Sequence, residues 1–480
     1  MPNEKMSKCE NAKMTKYKLN LFFIVLVAVI GGLLFGYDTA VISGAEKGLE
    51  HFFDSAQDFN YSDFWHGFTS SSALIGCIIG AFLSGVLSSR LGRKRTLFIA
   101  GVLFFISALG SYAPESGILP HSVPTKTLLI VFNLYRILGG IGVGLASAIC
   151  PMYIAEIAPA DKRGALVSWN QFAIIFGQLV VYFVNYLIVR SHVNDPAILE
   201  WTQHIGWRAM FGSECVPAAA FALLILLVPE SPRYLALKGD DKKAIDVLSK
   251  LHPEEHARII VREIHETAIE TREPLFAFGW MVIFVGIMLS VFQQIVGINA
   301  VLYFAPRIFE SMGVGNPMVF TVIMGIVNIG FTLLAIFTVE KLGRKPLLIV
   351  GSILMAIGAF GVALTNMTTL PAWVAVMSIL IYSASFMFSW GPICWVYMAE
   401  LFPNTIRSQA TAIAVAFQWI SNFAVSSSFV PLYNYSHAMV YILYGVICFI
   451  AALFVWKLVP ETKGKTLEQI TTMWRESMKA

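Results

Sequence analysis

LFFIVLVAVIGGLLFGYDTAVISG, residues Leu21 to Gly44, decides how the rest of the chain is read. Its apolar run reaches the ~20 residues an α-helix needs to cross a bilayer, and it carries a lone acid, Asp38. An ionised carboxylate near mid-membrane costs ~2.5 to 3.5 kcal/mol on insertion scales, so it is expected to be paired, to face a wet cavity or to relay protons. The competing reading is an acid that merely reaches the headgroups. Lys5, Lys8, Lys13, Lys16 and Lys18 precede the run as they would a secretory leader. Its length and the want of a small-x-small cleavage site mark a retained first span instead.

Outward from that stretch the same pattern repeats. The chain has 480 residues, 57% hydrophobic and 13% charged, too greasy for an ordinary soluble globule. Twelve apolar stretches of membrane length are expected, at 21–44, 65–88, 96–113, 126–150, 164–190, 206–228, 276–304, 317–338, 346–366, 372–398, 408–431 and 437–457. The long polar interval between the sixth and seventh has helical spacing and mixed charge. The expected domains are an N-terminal six-helix bundle (1–228), a cytoplasmic helical linker (229–274), a C-terminal six-helix bundle (275–459) and a cytoplasmic tail (460–480).

Arg90, Arg93, Lys94 and Arg95 follow the second stretch, and Lys341, Arg344 and Lys345 follow the eighth. Basic loops face the cytoplasm, so both termini are expected there. The joint after span 1, with Glu46, Glu50, Asp54, Asp58 and Asp63, suits the outside. A net charge of +4 without a basic, aromatic-studded patch argues against nucleic acid as a partner. Of six cysteines, Cys77, Cys150, Cys215, Cys394 and Cys448 fall in or beside apolar stretches with no metal spacing, and read as small core residues.

An internal repeat supports the six-plus-six division. SRLGRKRT from Ser89 recurs as EKLGRKPL from Glu340, 251 residues later counted from Leu91 to Leu342. YIAEIAPADKRG, with Glu156 and Arg163, recurs as YMAELFPNTIRS, with Glu400 and Arg407; PESPR at Pro229 recurs as PETKG at Pro460. Two related bundles around a midplane cavity is a transporter design.

Asp38 needs a partner, and Arg136 in LYRILGGIGVG is the candidate. The fixed cation favours an ionised acid while loss of water opposes it, so small movements can switch a proton on and off. The alternative is a static ion pair tying spans 1 and 4. Glu214 either assists or pairs near the inner surface. The second half is rich in amides instead: Gln293, Gln294 and Asn299 lie where Gly297 and Pro306 weaken the helix. Gln171 and Gln178 lie two turns apart on span 5; Asn328, Trp395, Gln418 and Trp419 lie on spans 8, 10 and 11. Carboxamides donate and accept towards adjacent hydroxyls and an indole covers a sugar's C–H face, so the set suits a neutral polyhydroxylated ligand. Interhelical hydrogen bonding is the plainer use of any one of them. GGIGVG at Gly139 reads as close helix packing, since it has no preceding strand. No hydrolase or metalloprotease motif is present, and neither enzymatic activity, a cofactor nor a metal is expected; the coupling ion is a proton.

GGLLFGYDTAVISG, LGRKR, YRILGGIGVGLAS, PMYIAEIAPADKRG, NQFAIIFGQ, PESPR, FQQIVGIN, SWGPICWVYMAELFP and VPETKGKTLE together resemble the sugar porters of the major facilitator superfamily. The resemblance spans the chain and is strongest to the bacterial proton-coupled xylose branch, weaker to the animal glucose facilitators. It implies an all-α integral membrane protein with twelve transmembrane helices in two pseudo-symmetric bundles. Asp38 would be the proton-coupling acid with Arg136 beside it. Gln171, Gln293, Gln294, Asn299 and Trp395 would bind sugar, with Gln178, Gln418, Trp419, Phe35 and Tyr303 close by. Arg93, Glu156, Arg163, Glu230, Arg344, Glu400 and Arg407 would form cytoplasmic ion pairs that shut the outward-facing state from below. The implied function is proton-coupled import of a pentose or hexose, D-xylose first, by a monomer in a bacterial inner membrane. A uniporter with a structural Asp38, or a sugar sensor, are the alternatives. Two departures stand out: Ser89 replaces the family's usual aspartate, and Phe304 follows Tyr303 where the xylose branch has a second tyrosine.

Overall fold

The computed structural model describes residues 2–115, 123–159, 163–190, 198–251, 253–268, 273–368, 370–403, 405–463 and 467–477; the side chains of 2–20, 163–165, 198, 199, 203, 267, 268, 340, 399, 408, 467, 468 and 477 are outside the description. All described regular structure is helical. Among the described residues, twelve helices are long and apolar enough to cross a bilayer. Spans 1 to 6 are Leu21–Asp54, Asp63–Leu91, Arg93–Tyr112, Lys126–Ile157, Leu166–Arg190 and His204–Leu227. Spans 7 to 12 are Trp280–Tyr303, Pro317–Val339, Arg344–Met367, Ala372–Met398, Gln409–Tyr435 and His437–Leu458. Large apolar side chains such as Phe82, Leu223, Phe337, Trp373 and Phe449 point away from the protein, as a lipid-facing surface requires.

Span 1 corrects an expectation. The helix is interrupted only by a turn at Val41 and then runs on to Asp54, so Glu46 and Glu50 sit on a helix and not in an exterior joint. Leu49, Phe52 and Phe53, spaced three and four apart, bury one face of that extension and hold it to the bundle.

Small residues set how closely the spans approach. A Cβ on Gly140 would stand 1.8 Å from the Ala73 carbonyl oxygen and one on Gly76 2.0 Å from that of Ile137, so GGIGVG is where spans 2 and 4 touch backbone to backbone. Gly36 is equally tight against Ile174 of span 5. The six-helix bundles meet along span 2 with span 11, where Gly67 abuts the Ser427 carbonyl, and along span 5 with span 8, where Gly325 faces Leu179 and Tyr182.

Span 7 breaks where its sequence is weakest. The helix from Trp280 ends at Ile295, Gly297 takes φ +92°, and short helices Ile298–Tyr303 and Ala305–Ser311 follow. The freed Val296 carbonyl accepts from Tyr382 Oη, so the break leaves that oxygen satisfied. Span 10 breaks likewise at Ser389, between Phe388 and Trp390. The linker forms helices Pro232–Leu237, Asp241–Ser249 and Glu254–Ala268 around a small core of Ala236, Leu248, Ala257 and Val261. It lies at the end of the bundles that carries the basic turns, tied there by Tyr234 Oη donating to Arg90 O. The helix Leu467–Ser477 docks at the same end through Trp474 Nε1, which donates to Leu401 O at 3.1 Å.

Candidate functional site

Asp38 is fully buried, and Arg136 Nη1 donates to its Oδ1 at 2.6 Å while Nη2 reaches the Asp38 carbonyl at 3.1 Å. Span 4 delivers Arg136 because the neighbouring Gly139 leaves room beside the same carboxylate. Phe211 of span 6 covers the guanidinium at 4.9 Å. Glu214, also of span 6, is fully buried beside Asp38 and not near the basic end, which excludes pairing at that surface. Among the described residues neither Glu214 oxygen nor Asp38 Oδ2 has a hydrogen-bond donor. Two ionised carboxylates against one guanidinium would leave an uncompensated charge in a dry site. A single proton shared by Asp38 and Glu214 would balance the charge and supply the missing donor.

Next to Asp38 on span 1, Thr39 lines a cavity between the two bundles, with about 650 Å³ of unfilled space partly open to solvent. Phe35, Gln171, Gln178, Gln293, Gln294, Asn299, Tyr303, Trp395, Gln418 and Trp419 all line it. Gln293 is the hub. Its Nε2 donates to Trp390 O and Gly391 O in the first turn of the helix that follows the break in span 10, and its Oε1 accepts from Gln294 Nε2 at 3.2 Å and from Gln418 Nε2. Asn299 donates on to Gln294 at 2.5 Å. Gln178 Oε1, Gln418 Oε1 and Trp419 Nε1 are buried with no partner among the described residues, a deficit that a hydroxyl-bearing ligand would make good. Phe35 and Trp419, from opposite bundles, meet at 5.6 Å between ring centroids.

Asn328 does not belong to this lining. It accepts from Ser383 Oγ at 2.7 Å and ties span 8 to span 10, the bridging use of a membrane amide. Asn422 and Thr39, which the sequence reading passed over, do line the cavity. Asn422 was detectable as the residue one turn after Gln418 on the same polar stripe.

The basic turns carry two matching clusters. Arg93 grips Glu156 through Nε at 2.9 Å and Nη2 at 2.7 Å, Ser231 Oγ donates to the same carboxylate, and Glu230 accepts from the backbone N–H groups of Arg93 and Lys94. In the second bundle Arg344 pairs with Glu400 at 2.8 Å, Thr462 Oγ1 donates to Glu400, and Glu461 accepts from Arg344 N and Lys345 N. The ion pairs described in each cluster lie within one bundle. Arg407 donates to the Phe402 carbonyl and, among the described residues, pairs with no acid. The side chains of Arg163 and Glu340 lie outside the described residues.

The bridge between halves is at the opposite end. Arg307, just past span 7, sends Nη2 to Glu46 Oε2 at 2.7 Å and to Glu50, and Nε to Glu46 Oε1 at 3.1 Å. Burial disfavours the charged guanidinium, but the two carboxylates override it and push the Arg307 pKa up. His66 Nε2 lies 3.0 Å from Glu46 Oε2 and 3.4 Å from Arg307 Nη2, and Tyr61 Oη holds its Nδ1 at 3.2 Å. Lys47 pairs with Glu310 across the same seam. Phe304 is completely buried there, stacked on Phe429 at 4.9 Å and edge-on to His66. A phenylalanine at this position makes the closure apolar where a tyrosine would need a partner for its hydroxyl.

Residues 24–474 match the family described as sugar (and other) transporter. The chain is 49% identical over 480 aligned residues to the D-xylose-proton symporter of Escherichia coli strain K12, covering 96% of each chain. It is 35% identical to the glucose facilitated diffusion protein of Zymomonas mobilis, covering 94% of this chain and 97% of that one. The inward-open structure of the xylose transporter XylE from E. coli superposes with a TM-score of 0.85 at 48% identity, over 95% of this chain and all of that one. The chain therefore belongs to the sugar transporter family of the major facilitator superfamily, a family of multi-pass membrane transporters and not of enzymes.

Proposed function

We propose that this chain is a proton-coupled monosaccharide symporter that imports a pentose or hexose, D-xylose best of all, by alternating access. The observation that carries it is a juxtaposition on span 1. Thr39 faces a neutral amide cavity with three orphaned polar atoms, and Asp38 belongs to a carboxyl pair short of one hydrogen-bond donor. Charge-neutral Gln171, Gln178, Gln293, Gln294, Asn299, Gln418 and Asn422 would hold sugar hydroxyls, while Trp395, Trp419 and Phe35 would cover C–H faces. Absence of a fixed charge in the lining disfavours sugar phosphates and sugar acids.

In the cycle we infer, the basic turns face the cytoplasm, in keeping with the excess of Lys and Arg there, and both termini lie on that side of a bacterial inner membrane. The described state is then closed on the outside by Arg307. A proton taken up by this pair weakens the hold of Arg136 on Asp38 when it sits on Asp38 itself and leaves Glu214 ionised; span 1 is thereby freed to shift the cavity wall that begins at Thr39. One proton moving down ~100 mV supplies ~2.3 kcal/mol, enough for roughly fortyfold accumulation at ~1.4 kcal/mol per decade. The cavity is enclosed by helices of one chain, which supports a working monomer.

The test is purified protein in proteoliposomes with an external pH electrode. Adding D-xylose outside should alkalinise the medium as protons enter with it, and a panel of pentoses and hexoses should rank by competition. Xylose flux with no proton movement makes the protein a facilitator; no flux with any sugar removes the transport assignment for this chain altogether.

A further inference from the structure

Arg307 Nη2 occupies the convergence point of Glu46 Oε2, Glu50 Oε2 and His66 Nε2, three atoms within 4.8 Å of one another. All three belong to the N-terminal bundle: Glu46 and Glu50 lie one turn apart on span 1 and His66 opens span 2. The guanidinium comes from the other bundle. Rocking of two rigid halves, on the alternating-access reading above, withdraws it and leaves the three ligand atoms together.

We propose that the outward-open state presents a zinc-type divalent metal site made by Glu46, Glu50 and His66, with Arg307 as the built-in cation that occupies the same seat when the outside is closed. Two carboxylates and one imidazole are a ligand set that suits zinc, with a water completing the tetrahedron. Tetrahedral zinc at ~2.1 Å places ligand atoms ~3.4 Å apart, so the three groups, now within 4.8 Å of one another around the wider guanidinium, draw together on metal binding. His66 Nε2 and Glu46 Oε2 already stand 3.0 Å apart. Tyr61 Oη at Nδ1 provides the second-shell contact that fixes a metal-binding imidazole with Nε2 turned to the ligands. Glu46 is completely buried and is held by both Nε and Nη2 of Arg307, so separation of the halves leaves it in need of a cation. Lys47, released from Glu310 by the same movement, is the competitor within the chain.

Zinc and Arg307 exclude each other, so metal bound from outside holds the transporter outward-open. Apparent affinity in the wild type is lowered by the fraction of time the seat is filled. Calorimetric titration of ZnCl2 into the purified full-length protein tests this without sugar or a proton gradient, so failure of proton coupling would leave the result readable. Arg307→Ala should bind one zinc per chain at least tenfold more tightly than wild type, and adding His66→Ala or Glu50→Gln should reverse the gain. Equal affinity for wild type and Arg307→Ala, or a gain that survives loss of His66, overturns the site. In right-side-out vesicles, external zinc but not magnesium should slow wild-type uptake. His66→Ala alone should transport without zinc sensitivity, and equal zinc inhibition of both proteins refutes the proposal even where Arg307→Ala does not fold.

Discussion

Replacing Asp38 with asparagine keeps the side chain's shape and removes its ability to take a proton. In the wild type one guanidinium, Arg136, faces two buried carboxyls, Asp38 and Glu214, and one proton between them would balance the charge. In Asp38→Asn, Glu214 is free to ionise and serve Arg136, so the buried charge stays balanced and the fold should lose no more than ~1 kcal/mol, the size of one exchanged hydrogen bond. Glu214→Gln should be equally mild, because its amide N–H supplies the donor that Asp38 Oδ2 lacks. The double variant leaves Arg136 without any anion, a loss of ~3 to 5 kcal/mol for a broken buried pair. The singles therefore fail to add up, by ~2 kcal/mol or more. Melting of the detergent-solubilised proteins measures that gap. Xylose uptake under an imposed membrane potential of ~100 mV measures the function: Asp38→Asn should drop from roughly fortyfold accumulation to equilibration, while exchange of labelled for unlabelled sugar continues. Gradient-driven accumulation by Asp38→Asn, or a double variant no less stable than the sum of the singles, refutes the shared-proton arrangement.

Gln293→Ala removes the hub that accepts from Gln294 and Gln418 and anchors to span 10. Loss of ~1 to 1.5 kcal/mol of binding should raise the KM for sugar roughly tenfold, and an unchanged KM in initial-rate uptake would place the sugar elsewhere. Gly297→Ala puts a side chain at φ +92°, with its Cβ 2.4 Å from the Tyr444 ring, whereas Gly239→Ala at φ +81° meets nothing within 4 Å. The left-handed backbone costs ~1 to 2 kcal/mol at both sites, so only the additional clash separates them. Gly297→Ala should lower the apparent Tm by several degrees more than Gly239→Ala, and equal shifts would mean the break in span 7 is not held by that contact.

Spans were legible because bilayer length and apolar composition are local properties, and the two bundles because each keeps its own copy of the basic turn and of Glu156 or Glu400. Asp38 and Arg136 could be matched from sequence because a membrane tolerates few charges, and those few seek each other. Amides gave no such certainty. Asn328 and Gln418 look alike in sequence, yet one bridges two helices and the other faces the cavity, a difference set by helix rotation. Glu46 and Glu50 were misplaced because their acidity suggested a loop, while the apolar residues between and after them carried the helix onward. Their partner Arg307 lies 261 residues from Glu46, beyond the reach of any local pattern.

The twin clusters at the basic turns bear on how the protein is made. Arg93, Glu156, Glu230 and Ser231 are all made before the seventh span has been synthesised, and the bonds described among them use first-half residues. Thr462, the corresponding last member of the second cluster, emerges 231 residues after Ser231. At about 5 to 20 residues per second that is an interval of roughly 10 to 50 s. The first bundle can thus clamp its own spans at the membrane surface while the ribosome is still translating the second, and the halves can associate as finished bodies.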